Sequence, residues 1–424
     1  MLPKTTGGEY AFYERKVIWL AVSSRVVLYI LSFLLNDLVN DYDTSTELFA
    51  QDEKTSVIMR LFGHLMRWDA IHLLGIAKEG YIYEHTHAFF PFYPLSVHSL
   101  SKLIINFIGS YSDSILLSSV IISNLFFVLS TIALYRLSVS TTEEKSEEDY
   151  DWAYRVCFLL CLSPANIFFL SPYTETMFMF FTLMGLYGII KDRRWLASLF
   201  FSLSGAVRSN AVLYCGFFVW NILRDSLLHF HQGDQKRKRY ILRCFESILQ
   251  VSIVFVPFLL YQFFVYQRFC QSEGEGTSPW CQQTVPSSYS YIQEKYWNQG
   301  FLRYWTIKQI PNFALAAPMM IVSFYGSFHF LIQMYQSHSL MEELKDRVNG
   351  RLMIPLHVYW AAFTFIVLFF FHVQTITRFF ASIPCLYWTV SRLISEDKGS
   401  LPVFWFLLYN ILGLCLYTNF YPWT

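Results

Sequence analysis

Between Arg67 and Leu95 the sequence RWDAIHLLGIAKEGYIYEHTHAFFPFYPL gathers Asp69, His72, Lys78, Glu79, Glu84, His85 and His87 among aromatic residues and two prolines, Pro91 and Pro94. The stretch is too polar to lie in lipid, yet it follows the first apolar run and precedes the second. A titratable, aromatic segment just outside a bilayer reads as an active-site loop. Asp69 follows Trp68, and a carboxylate partly screened from water by an indole suits the general base for a sugar hydroxyl, with the ring set to face the sugar. The same aspartate stands before an apolar periodic run, where an N-cap is equally expected. Glu84, His85 and His87 have the look of a divalent-metal site, which wants three or four ligands in defined geometry, although two histidines this close are more often hydrogen-bonded loop residues. The rival functional reading is an acceptor-sugar site, in which carboxylate and imidazole contact hydroxyls beside Phe89, Phe90 and Tyr93.

Further along, Ser163-Pro164 and Ser171-Pro172-Tyr173-Thr174-Glu175 bracket the end of an apolar run. Glu175 would cap the next helix at its positive end, or serve as an ionisable group at membrane depth. Arg208 and Arg378 sit inside or beside apolar runs, where a guanidinium costs several kcal/mol unless an anion meets it. A lipid phosphate is one such anion, gripped by the planar fork; Asp69 or Glu175 is the alternative partner. Gln374 and His372, close to Arg378 in sequence, would extend a polar pocket. The segment PSSYSYIQEKYWNQGFLRYWTIKQIPN at 286–312 offers tyrosine and tryptophan for stacking on sugars or for the headgroup level.

These residues need a scaffold, and composition says which kind. Hydrophobic residues make up 54% of the 424 and charged ones only 15%, against roughly 25% charged in soluble domains. Apolar runs long enough to cross a ~30 Å hydrocarbon layer recur from end to end, so an all-α polytopic membrane protein is expected. No separate soluble domain of the usual ~100 residues fits between them. The formal net charge of +1 and the lack of a basic stripe give nucleic acid no footing. Residues 1–16 lack the pattern of a cleaved signal peptide.

About eleven spans are expected in a single domain over 1–424. The first follows Glu14-Arg15-Lys16, and a polar loop over about 36–114 carries the candidate site. Within that loop 95–108 suits a helix lying in the interface. Spans at 115–137, 153–171 and 174–190 follow, with EEKSEEDYD at 143–151 read as a solvated face. Residues 195–223 are apolar over 29 positions, about 43 Å as one helix, yet basic clusters flank both ends. The positive-inside bias puts both clusters on the cytosolic side. A hairpin of two short helices, with Arg208-Ser209-Asn210 at its apex, resolves the conflict. Spans at 245–266, 313–335, 352–371, 377–394 and 402–418 complete the set. The second long loop, about 267–311, falls on the face of the first. It holds Cys270 and Cys281, a disulfide pair if that face is an oxidising lumen. The other six cysteines pack as small hydrophobes. No Asn-x-Ser/Thr signal occurs.

RWDAIHLLGIAKEGYIYEHTHAFFPFYPL, SPANIFFLSPYTE, VRSNAV, YSYIQEKYWNQGFLRYWTIKQIPNFALAAP, HVQTITRFFASIPCLYW and the terminal NFYPWT together resemble the GPI mannosyltransferase 2 (PIG-V-like) family. Each motif alone carries little; six in order and spacing, through nearly the whole chain, carry a great deal. The resemblance implies a glycosyltransferase of GT-C type in the endoplasmic reticulum membrane. It would add the second mannose, in α1,6 linkage, to the glycosylphosphatidylinositol precursor on the lumenal side. The donor would be dolichyl-phosphate mannose and no metal cofactor is expected, although a divalent ion at the histidines stays open. Some relatives work with a small membrane subunit. On the matching positions Asp69 is the expected base, and Glu84, His85, Arg208 and Arg378 fall on motif residues. The donor sugar is β-linked and the product α, so one inverting displacement suffices, with Arg208 and Arg378 holding the phosphate. The 143–151 and 274–276 stretches look like variable loops. Other readings are a different lipid-linked mannosyltransferase of the same fold, a non-catalytic subunit, or a lipid transporter or scrambler. The transporter reading expects internal repeats, which this chain lacks.

Overall fold

The computed structural model describes residues 6–42, 56–229, 234–271, 278–336 and 340–423. Outside the described residues lie 43–55 of the first loop, the 274–276 stretch and Thr424. The side chains of Lys236, Arg237 and Arg239 also lie outside them.

Among the described residues the chain is helical throughout. The helices in order are α1 (Thr6–Leu38), α2 (Val57–Phe62), α3 (Asp69–Glu79), α4 (Phe92–Ile108), α5 (Tyr111–Thr141), α6 (Glu147–Cys161), α7 (Asn166–Leu170), α8 (Glu175–Ile190) and α9 (Arg194–Val207). Then come α10 (Cys215–His229), α11 (Asp234–Cys270), α12 (Ser288–Trp297), α13 (Ile310–Gln336), α14 (Leu340–Lys345), α15 (Ile354–Phe370), α16 (Ile376–Phe380), α17 (Pro384–Ser395) and α18 (Ser400–Thr418). Seven of them, counting short helical lead-ins, are long and apolar enough to cross a membrane: α1, α5, α10, α11, α13, α15 and α18. The protein is thus an all-α, multi-pass membrane protein.

Seven differs from the eleven expected from hydropathy, and the reason is backbone interruption. The run at 153–171 is cut after Cys161, because Pro164 cannot continue a helix. The Asn166 amide then donates to the Cys161 carbonyl that the break leaves without a helix partner, at 2.7 Å. The run at 377–394 divides into α16 and α17 at Pro384. In the expected hairpin, α9 stops at Val207 and Arg208 is extended (φ −150°, ψ 140°) before a 3-10 turn over Ser209–Tyr214 leads into α10. The helices α8 and α9 have only 16 and 14 residues, short of the ~20 a straight crossing needs.

Two expected loops acquire structure. The helix α4 buries Tyr93 and Val97 while Leu95, Leu103 and Phe107 face outward, an apolar outer face suited to an interfacial helix. It ends at Gly109, whose φ of 84° places it in the left-handed region that stops a helix without strain. The acidic 143–151 stretch is exposed as expected, but Ser146 and Asp149 also form a capping box, and three acids occupy the first turn of α6.

The helices cluster into two compact units, 1–82 with 91–183 and 377–424, and 83–90 with 184–376. In the first, α1 packs on α5, α6 and α18, α4 packs on α5, and α6 packs on α17. In the second, α9 and α10 both pack on α11, α13 packs on α15, and α12 packs on the 3-10 turn Glu84–Ala88. The Cys270–Cys281 disulfide is formed, with the Cα atoms 5.6 Å apart.

Glycine permits the close approach of α8 and α9 within the second unit. A Cβ on Gly185 would run into the Phe201 ring. That ring is fully buried and stacks on Tyr214 at 4.7 Å, so it has nowhere to go. Gly185→Val is expected to cost about 1–3 kcal/mol, read as a lower melting midpoint in detergent. Adding Phe201→Leu should recover part of the loss; an unchanged midpoint for the single variant would refute the close packing.

Candidate active site

In the first unit, residue 68 turns the chain sharply into α3. Trp68 has φ 53° and ψ −124°, a conformation that a bulky residue keeps only where its surroundings enforce it. The enforcement is visible on both sides. The Tyr173 hydroxyl accepts the Asp69 N–H at 3.2 Å and donates to the Arg67 carbonyl at 3.3 Å. The Tyr417 hydroxyl lies 3.1 Å from both the Leu65 and Arg67 carbonyls, one proton shared between them. The Arg67 side chain donates to the Thr418 carbonyl and the Gly63 carbonyl, each at 3.0 Å, with its guanidinium over the Phe420 ring. Thus the last helix and the residues after it hold the Trp-Asp turn in place.

Asp69 is the first residue of α3, with Trp68 in the capping position and making no side-chain cap bond. The capping alternative for Asp69 therefore falls. Its carboxylate turns instead to Arg378, whose Nη1 donates to Asp69 Oδ2 at 2.9 Å. Arg378 Nε donates to Glu175 Oε1 at 2.7 Å, and the guanidinium lies against the Phe168 and Tyr173 rings at 4.8 and 4.9 Å. Glu175 does begin α8, but its charge is spent on Arg378 as well as on the helix end. The three side chains grade from closed to open: Glu175 is 2% exposed, Arg378 15% and Asp69 32%. Among the described residues, Asp69 Oδ1 and Arg378 Nη2 carry no hydrogen bond. Chemically this is a carboxylate held at one oxygen and open at the other, backed by a cation that a buried second carboxylate keeps in place. Of the two sequence alternatives for Arg378, carboxylate pairing is the one present, with both candidates at once.

The remaining candidates belong to the second unit. Arg208 occupies the break between α9 and the following turn, and its charge acts on the Tyr289 and Tyr359 hydroxyls. Its neighbour Ser209 donates to Tyr289 at 2.7 Å. Glu84 accepts from Ser278 at 2.8 Å, Tyr296 at 2.8 Å and Lys295 at 3.1 Å. Burial pushes its carboxyl up, but these three donors hold it below its usual range. Glu84 therefore ties the 83–90 turn to α12. Residues 84–88 form a 3-10 turn, not a strand, so His85 and His87 do not share a face. His85 stacks on Tyr83 at 5.6 Å. His87 is buried among Tyr261, Phe264 and Phe269, and burial, then Arg268, pushes it down to about 4. Among the described residues no three His, Cys, Asp or Glu side chains gather as a metal ion would need. Gln374 Oε1 is buried and, among the described residues, has no partner; nearby in sequence, His372 stacks on Tyr304 at 4.4 Å.

Sequence reasoning singled out Asp69, Glu175 and Arg378 but passed over Tyr417, Arg67 and Thr418, which hold the turn that leads into Asp69. Tyrosine inside an otherwise apolar helix was the available signal, since a buried phenol hydroxyl must find a partner.

The family described as Mannosyltransferase (PIG-V) matches residues 14–424. The chain is 30% identical to GPI alpha-1,6-mannosyltransferase 2 of Mus musculus, over 97% of this chain and 99% of that protein. It is 28% identical to the Homo sapiens protein of the same description, over the same shares of each. With GPI mannosyltransferase 2 of Schizosaccharomyces pombe the identity is 30%, over 87% of this chain and 75% of that one. Among solved structures it is similar to an Archaeoglobus fulgidus oligosaccharyltransferase, with TM-score 0.45 and 12% identity, over 94% of this chain and 53% of that chain.

His64 packs behind Arg67, with its Nε2 2.9 Å from the Ser32 hydroxyl. Burial, then the Arg67 charge, pushes it down to about 3. The folded chain thus keeps this imidazole neutral, whereas the unfolded chain protonates it near its usual pKa of ~6.5. Below that pH the unfolded state binds the extra proton, so stability is lost as pH falls from about 6.5 toward 3. The melting midpoint should drop over this range, and His64→Gln should flatten the slope. An identical slope in the variant would remove His64 from the account.

Proposed function

The chain belongs to the PIG-V mannosyltransferase family, and from that membership we propose how its residues carry the reaction. The activity is transfer of mannose in α1,6 linkage during assembly of the GPI anchor. On our reading the acceptor is the singly mannosylated glycolipid precursor, the donor is dolichyl-phosphate mannose, and the fold is of GT-C type.

The acceptor 6-hydroxyl approaches Asp69. As its oxygen forms a bond to the anomeric carbon, its proton passes to the open Oδ1. The bond from that carbon to the phosphate oxygen breaks, and its electron pair leaves with dolichyl phosphate. A phosphate leaving group needs no proton at neutral pH, so one base and one source of positive charge suffice. The single observation carrying this reading is the Asp69 carboxylate, bonded by Arg378 at one oxygen, open at the other, and the most exposed member of its trio.

Charge bookkeeping refines the role of Arg378. With both carboxylates ionised the trio carries one net negative charge, which suits a hydroxyl better than a phosphate. When Asp69 takes the proton that negative charge disappears, just as charge develops on the leaving group. Arg378 then has Nη1 as well as Nη2 to offer, an electrostatic contribution that grows toward the transition state. Arg208, a cation at a helix break in the second unit, is our further candidate for a lipid phosphate. Trp68, 42% exposed, is placed to cover a sugar face. Glu84, His85, His87 and Gln374 are kept as acceptor-side candidates on residue type, with Glu84 acting through the turn it ties down.

We place the reaction in the endoplasmic reticulum membrane, with Asp69 facing the lumen. The Cys270–Cys281 disulfide supports an oxidising compartment around its own loop, because such bonds persist there. A small membrane subunit is left to experiment.

Asp69→Asn is expected to lower mannosyl transfer by about 10²–10⁴-fold, the usual contribution of a positioned base, with unchanged expression and melting. Wild-type turnover in that variant would remove Asp69 from the mechanism. Glu175→Gln, which loosens Arg378 while sparing Asp69, should reduce kcat more than donor KM. Arg378→Lys alone should also lower kcat, since an ammonium cannot span both carboxylates as the fork does.

A further inference from the structure

A second group of arginines, wholly within the second unit, is used by nothing above. Arg224 lies on α10, one turn inside the end of the candidate span Ser209–Leu228, and is 5% exposed. Its Nη2 donates to Asp225 Oδ1 at 3.1 Å. Its Nε is buried and, among the described residues, has no partner. Asp225 is shared: Arg243 of α11 reaches its other oxygen at 3.2 Å. The turn between α8 and α9 repeats the pattern, for Asp192 takes Arg194 and Arg351, each at 3.2 Å. The Trp220 indole N–H of α10 donates to the Gly350 carbonyl at 2.8 Å, which brings Arg351 to the helix that carries Arg224, and the Arg351 and Arg194 charges act on Arg224. Among the described residues four guanidiniums thus share two carboxylates, and one guanidinium N–H is left buried without a partner.

Such a surplus near hydrocarbon is costly unless an anion meets it. The guanidinium fork matches phosphate oxygens, and bonds of this kind are among the stronger ones in proteins. Access exists, because the Arg243 and Arg351 side chains are 47% and 29% exposed. The flank decides between a free phosphate and one carried by a lipid. Leu199, Leu223, Leu227 and Leu242 are each more than half exposed beside the cluster on the same helices, an apolar wall fit for acyl chains and of no use to a soluble ion. Phosphate above and hydrocarbon beside it describe a phospholipid at the level of its headgroup.

We propose that Arg224, with Arg194, Arg243 and Arg351, binds the phosphate of an anionic phospholipid headgroup at the end of the second unit where α8 turns into α9.

The full-length protein would be reconstituted in nanodiscs of phosphatidylcholine, with or without phosphatidylserine as a minor component. Its melting midpoint and the phospholipid it retains in native mass spectrometry would be read in each. Phosphatidylserine should raise the wild-type midpoint and be the retained lipid. Arg351→Gln, at a partly exposed position that leaves Arg224 with Asp225, should lose about tenfold in apparent affinity for it, and mannosyl transfer in phosphatidylcholine alone should be unchanged. Arg224→Gln should lose at least as much where it folds. Equal retention of phosphatidylserine by wild type and Arg351→Gln would overturn the proposal. An equal rise in midpoint from millimolar inorganic phosphate, in discs without phosphatidylserine, would overturn the lipid assignment.

Discussion

A guanidinium held between two carboxylates is the constraint around which the first unit is arranged. Arg378 joins Glu175 at the head of α8 to Asp69 at the head of α3. Neither carboxylate is redundant. Glu175 is almost fully buried, and a buried charge deprived of its partner costs about 3–5 kcal/mol. Glu175 therefore fixes Arg378 more firmly than Asp69 does, and Arg378 in turn fixes the direction of Asp69. The member that meets substrate is the one with the most water around it. Rigidity comes from below and reactivity from the open side.

The trio exists because three helices begin or break where they do. Within an uninterrupted helix in lipid every backbone group is satisfied internally, and side chains face lipid or neighbouring helices. A break frees backbone groups and admits polar side chains to repair them. Asp69 follows the Trp68 turn, Glu175 follows the Ser171–Thr174 junction, and Arg378 sits in the short helix before Pro384. Bonds of this kind are seen at two breaks: Tyr173 and Tyr417 at the Arg67 carbonyl, and Asn166 at the Cys161 carbonyl. The interruptions in the helices are thus the features that assemble the site.

This explains what could be read from the chain directly. Asp69 beside Trp68, Glu175 after Ser-Pro-Tyr-Thr, and Arg378 in an apolar run announce themselves by residue type, because charge next to hydrocarbon demands a reason. The disulfide was legible for a similar reason, as both cysteines stood in a polar loop. Tyr417 was not, since its purpose depends on α18 bringing a phenol to a carbonyl 350 positions earlier. Hydropathy averaged over a window also ran across Pro164 and Pro384, where the helices break. The surroundings of His85 and His87 were not legible either, since a 3-10 turn sends alternate side chains to different neighbours.

The two arginine groups differ in the sign of their imbalance, and that sign decides what each can receive. Arg378 is outnumbered by carboxylates, so its surroundings retain a negative charge that welcomes the proton of a hydroxyl. Around Arg224 the guanidiniums are in excess, so a neutral hydroxyl would leave the surplus unanswered, whereas a phosphate would balance it. The same residue type thus supports proton acceptance in one place and anion capture in another. What separates them is the count of carboxylates within reach, which helix breaks and turns set, and which no inspection of a single arginine would disclose.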